Sequence, residues 1–84
     1  MRVTLKLYAT LTDYLPAGAR RDNRLALDVD GAATIASVLA PFRIPPRLVH
    51  LVLVNGLYVP PEERPARTFR DGDVLAIWPP IAGG

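Results

Sequence analysis

The stretch from His50 to Val59, HLVLVNGLYV, constrains the fold more than any other part of this chain. Two apolar segments flank Asn55-Gly56, the pair that most readily supplies the consecutive positive φ angles of a type I′ turn. That turn matches the twist of antiparallel strands, so the stretch predicts a β-hairpin.

Partners for the hairpin are found by alternation. Val3, Leu5 and Leu7 alternate with Thr4, Lys6 and Tyr8, the period of a half-buried strand. Leu25, Leu27 and Val29 alternate with Ala26, Asp28 and Asp30 in a second strand that Gly31 ends. Between them, the stretch with Pro16, Gly18, Arg20, Arg21 and Asp22 looks too irregular for a regular element. After the turn at Asp71-Gly72-Asp73, the segment VLAIW is apolar on both sides, which predicts a strand in the middle of the sheet.

Only one helix fits. Thr34 is a plausible N-cap, and Ile35, Val38 and Leu39 form one stripe at helical spacing. Pro41 cannot continue the hydrogen-bond ladder, so the helix is about two turns long. The order strand, strand, helix, strand, strand, strand gives an α+β fold. We expect a β-grasp, or ubiquitin-like, arrangement: a mixed sheet of about five strands with one main short helix on one face. A small β-barrel is the other candidate, and the helix argues against it.

At 84 residues, half of them hydrophobic, the chain has room for one core. The expected division is a β-grasp domain over 1–78 and a flexible diglycine tail over 79–84. There is no cysteine, which removes disulfides, thiolate nucleophiles and thiolate metal sites and suits a reducing cytosol. Thr4 and Lys6 interrupt any signal-like apolar run, and Leu51 to Val54 is far too short to span a membrane. A cytoplasmic protein without membrane association is expected. The net charge of +2 is too small by itself to imply nucleic acid, and none is expected as a partner.

Few residues offer catalytic chemistry. His50 is the sole histidine and has no nucleophile, carboxylate or metal ligand near it in sequence, so a strand-edge or partly buried position is expected. Asp28 to Gly31 lacks the glutamate and glycine spacing of a calcium loop. Asp71 and Asp73 read as turn residues, and Glu62 and Glu63 as solvated. No metal site and no cofactor bound by the chain itself are expected. Arg64, Arg67 and Arg70, and Arg20, Arg21 and Arg24, form two basic groups. Solvated loop arginines are the commoner case, with an acidic protein partner ranked slightly above RNA.

The aromatic residues are more informative. If Leu5, Leu7, Leu57, Val59, Leu75 and Ile77 face the helix, then Tyr8, Tyr58 and Trp78 share the uncovered face. Large aromatics on an open sheet face are typical anchors of a protein interface. The last strand then runs into Pro79 and Pro80, which end it and hold the chain extended. Ile81, Ala82, Gly83 and Gly84 follow with little side-chain bulk, a shape suited to entering a narrow channel in a partner.

The segments HLVLVNG, FRDGDVLAIWPP and IAGG resemble the MoaD/ThiS sulfur-carrier family, over nearly the whole chain. The resemblance implies a non-catalytic carrier. A ubiquitin-activating-type adenylating enzyme would join the Gly84 carboxylate to AMP, using ATP and Mg²⁺. A persulfide donor would then supply sulfur, leaving a C-terminal thiocarboxylate on Gly84, with Gly83 permitting close backbone approach. It also implies that Tyr8, Tyr58 and Trp78 meet the activating enzyme or the receiving subunit. The two prolines make the chain most similar to the small subunit of molybdopterin synthase, whose tail enters the large subunit. Trp78 in place of the usual phenylalanine, and the Pro- and Arg-rich stretch 60–69, depart from that pattern. The other readings are a carrier for thiamin, cysteine or tRNA thiolation, a modifier conjugated through Gly84, and a ligand- or RNA-binding module whose tail is incidental.

Overall fold

The computed structural model describes residues 1–80. Five strands form one sheet: β1 (Arg2–Leu7), β2 (Arg24–Asp28), β3 (Leu51–Val54), β4 (Leu57–Tyr58) and β5 (Val74–Trp78), in the order β2-β1-β5-β3-β4. β1 is antiparallel to β2 and parallel to β5, while β5 and β4 both run antiparallel to β3. The two-sided apolar strand is central, as its sequence requires. With helix α1 (Ile35–Leu39) this is the mixed-sheet β-grasp expected above.

The inner face carries Val3, Leu5, Leu7, Val52, Val54, Leu75 and Ile77, all essentially inaccessible to solvent. Ile35, Val38 and Leu39 of α1 complete the core from the other side. Thr34 caps the helix: its Oγ1 accepts from the Ser37 amide at 3.2 Å, and Ser37 Oγ accepts from the Thr34 amide at 2.8 Å. The reciprocal pair satisfies donors that the first turn leaves free. From Ala40 to Phe42 the chain tightens into a 3-10 turn containing Pro41 and ends at Arg43, whose φ is +56°.

Two expectations need correction. The stretch after β1 contains regular structure, with 3-10 helices at Ala9–Tyr14 and Ala17–Ala19. Leu11 and Leu15 from it are fully buried. Arg20 holds the segment down, donating from Nε to the Leu15 carbonyl at 2.9 Å and from Nη2 to the Asp13 carbonyl at 3.1 Å. Leu57, expected inside, is 72% exposed. It pairs with buried Val54 and keeps the alternation, but it sits beside the hairpin turn on a two-residue edge strand where the core has already ended.

Candidate docking face and carboxyl-terminal exit

Register assembles the face opposite the helix from residues far apart in sequence. Leu51 pairs with Trp78, Leu53 with both Ala76 and Tyr58, Lys6 with Ala76 and Arg24, and Thr4 with Val74 and Ala26. Directly paired residues share a face, so the apolar and aromatic side chains gather over β3–β5 and the polar ones over β1–β2.

Tyr8, Tyr58 and Trp78 all lie on this side. The structure brings Tyr8 and Trp78 together, with ring centroids 4.1 Å apart and planes 6° from parallel. Each is half-buried, and such a stacked pair is worth about 0.5–1.5 kcal/mol beyond its buried area. The Tyr8 amide donates to the Ile77 carbonyl at 3.1 Å, and Ala9 then takes a φ of +53°, turning the chain off the sheet. Tyr58 stands apart on the edge strand, 57% exposed. Trp78 is held from its other flank, where the His50 amide donates to its carbonyl at 3.1 Å. His50 itself is exposed at the start of β3.

β5 therefore leads from the core straight to the aromatic stack and out of the sheet. Pro79 is half-buried and Pro80 exposed. The remaining tail residues singled out from the sequence, Ile81, Ala82, Gly83 and Gly84, lie outside the described residues.

Asn55 and Asp73 brace the near end of the face. Asn55 and Gly56 take φ of +52° and +83°, the type I′ geometry, and this is where glycine is needed. Asn55 Nδ2 donates to Asp73 Oδ1 at 2.8 Å, while Asn55 Oδ1 accepts from the Val74 amide at 2.9 Å. Asp73 Oδ2 accepts from the Arg70 amide at 2.9 Å. Burial pushes the Asp73 carboxyl up, but the Arg70 amide, the Asn55 amide and the charges of Arg67 and Arg70 outweigh it and hold it below the usual carboxylate range. The Asp73 side chain thus ties two turns together. Asp71 plays a smaller part, accepting from the Arg2 amide at 2.6 Å.

Each arginine group contains one structural clamp, Arg20 in the first and Arg64 in the second. Arg64 is structural: Nε donates to the Val59 carbonyl, Nη1 to Val49 and Nη2 to His50, each at 3.1 Å. It clamps the proline-rich loop to the start of β3, and no local sequence signal marks that role. Glu62 and Glu63 are exposed. Among the described residues no group of three or more histidine, aspartate or glutamate side chains could hold a metal ion. No helix among them is long and apolar enough to cross a membrane. A cavity of about 490 Å³ opens on the helix side, lined by Ile35, Leu39, Ile44, Val49 and Pro61.

The family described as Mut7-C ubiquitin matches residues 1–82. SAMP1 from Haloferax volcanii, a crystal structure, is 27% identical over 100% of both chains, with a TM-score of 0.70. Small archaeal modifier protein 1 of H. volcanii is 24% identical over 95% of this chain and 98% of that one, with a TM-score of 0.67. A chain in the complex of subunits 1 and 2 of molybdopterin-converting factor from Helicobacter pylori is 16% identical over 100% of both, with a TM-score of 0.60. The latter two likenesses are of fold alone. No curated protein matches the chain.

Proposed function

This chain belongs to the Mut7-C ubiquitin family, and from that premise we propose that it is a carrier activated at Gly84. The observation that carries the reading is the route of β5, from the centre of a ubiquitin-like sheet past Trp78 to Pro79 and Pro80. A partner that docks on the Tyr8–Trp78 face would find the segment Ile81-Ala82-Gly83-Gly84 starting beside its own contact surface. That segment is narrow enough to enter an active-site channel, and the two prolines lower the entropy lost when it is ordered.

The chemistry needs little from the carrier. A carboxylate oxygen leaves poorly, and adenylation by a ubiquitin-activating-type enzyme, with ATP and Mg²⁺ on that enzyme, converts it into a good leaving group. The outer sulfur of a persulfide donor then attacks the carbonyl and displaces AMP, giving an acyl disulfide. A second thiol breaks the S–S bond, leaving the thiocarboxylate on Gly84 and a disulfide on the donor. Glycine has no Cβ to hinder attack at the carbonyl. The sulfur rides on the main chain, so a protein with no cysteine can carry it. The acceptor in this reading is the large subunit of a molybdopterin synthase. The ubiquitin-like partner fold in the H. pylori complex supports it. The carrier itself is non-catalytic.

The test is to incubate the protein with its host's activating enzyme, ATP, Mg²⁺, a persulfide donor and a thiol reductant, then measure the intact mass. Exchange of one oxygen for sulfur at the terminus is expected. Its absence there, and in protein purified from the host, would sink the reading. The likeness to SAMP1 favours a second reading, a modifier joined through Gly84 to lysines of other proteins. Branched peptides ending in Gly84 in host digests would establish that role, and their absence would count against it.

A further inference from the structure

The β1–β2 ladder places one pair of like charges on the same face as a pair of opposite ones, with the Thr4–Ala26 pair between them. Arg2 faces Asp28 and Lys6 faces Arg24, both on the outer side of the sheet. The Leu7 amide bonds to the Asn23 carbonyl, and Met1 and Val29 exchange bonds at the far end, so the even-numbered pairs are the non-hydrogen-bonded ones. In such pairs the side chains stand closest together. Arg2 and Asp28 use this closeness for an ion pair at 3.1 Å. Lys6 and Arg24 instead oppose each other, and among the described residues no carboxylate lies within ion-pair distance of either.

Register then continues the row. Across β5 from Lys6 is Ala76, across β3 from Ala76 is Leu53, and across β4 from Leu53 is Tyr58. Ala76, with the smallest side chain of the row, is only 8% exposed. Its longer neighbours shade it, so the row runs from two cations through a shallow apolar depression to an exposed aromatic. Strand spacing puts the cations about 5–10 Å from the depression.

We propose that this row receives an acidic segment of a partner protein, deepening the docking role proposed above and resting on it. A carboxylate pairs with Lys6 and Arg24, and an apolar side chain two or three residues away settles over Ala76 against Leu53 and Tyr58. The partner's negative charge relieves a repulsion built into the free carrier. A stacking ligand such as single-stranded RNA fits less well, because Tyr8 and Trp78 already turn ring faces to each other.

The experiment is an NMR titration of the full chain with three short capped peptides that place Glu, Gln or Lys two residues before Leu. Shifts at Lys6, Arg24, Leu53, Tyr58 and Ala76 are expected with the Glu peptide, roughly fivefold tighter than with Gln, and weakening as salt rises. The Lys6→Gln, Arg24→Gln double variant should lose that selectivity while unfolding no more easily than the parent, because it removes repulsion. Equal shifts with Glu and Gln, shifts elsewhere, no shifts, or tighter binding of an oligouridine at the same residues would each overturn the proposal. Nothing in this test involves Gly84. Sulfur exchange without acid-selective binding defeats only the acidic-partner proposal, and acid-selective binding without sulfur exchange defeats only the carrier reading.

Discussion

Asp73 shows how much a single side chain can tie together in a small sheet. It satisfies the Arg70 amide and the Asn55 side chain at once, joining the hairpin turn to the turn that starts β5. Replacing it with alanine leaves both donors without this acceptor and should cost about 1–3 kcal/mol, read as a lower urea midpoint. The charge has its own signature. The native carboxyl lies below the usual carboxylate range, so its contribution is complete above the unfolded value and disappears as pH falls through the lowered native one. Asp73→Asn should therefore flatten the acid limb of stability against pH and leave a deficit at neutral pH. An unchanged acid limb would show that the carboxylate charge contributes nothing.

Two short elements depend on different local physics. Helix α1 has only five residues, too few to persist alone, and relies on its cap and its buried stripe. Thr34→Ala should cost about 1 kcal/mol by thermal unfolding, because the Ser37 amide loses its acceptor. The 3-10 helix at Ala9–Tyr14 has no side-chain cap and is kept in place by Leu11. Leu11→Ala should cost about 2–5 kcal/mol, a large part of the stability of so small a domain. A loss below 1 kcal/mol would mean that the segment is packed less firmly than its burial indicates.

For the molecule as a whole, the core and the proposed docking surface fall on opposite faces of the sheet. The inner face holds the core, and the outer face carries a mixture of half-buried and exposed side chains. Tyr58 tests the division, since it is 57% exposed on an edge strand. Tyr58→Ala should change unfolding by less than about 0.5 kcal/mol. Binding to the host's activating enzyme, measured calorimetrically, should weaken by about 2 kcal/mol if Tyr58 anchors the interface. Equal affinity for the two proteins would remove Tyr58 from the docking face.

The sequence by itself determined what local physics decides. Asn55-Gly56 specified the hairpin turn, the alternation in 3–8 specified β1, Thr34 started the helix, and the two-sided apolar character of VLAIW put β5 in the centre. Each is a matter of φ preference, side-chain period or a cap within a few residues. The tertiary structure decided what depends on register between distant segments. The Tyr8–Trp78 stack, the opposition of Lys6 and Arg24, the Arg64 clamp and the Asn55–Asp73 bond all join residues that no local pattern links. Leu57 marks the same boundary from the other side. Its alternation is inward, but whether an inward residue is buried depends on how far the core extends, and that is settled only when the whole sheet has assembled.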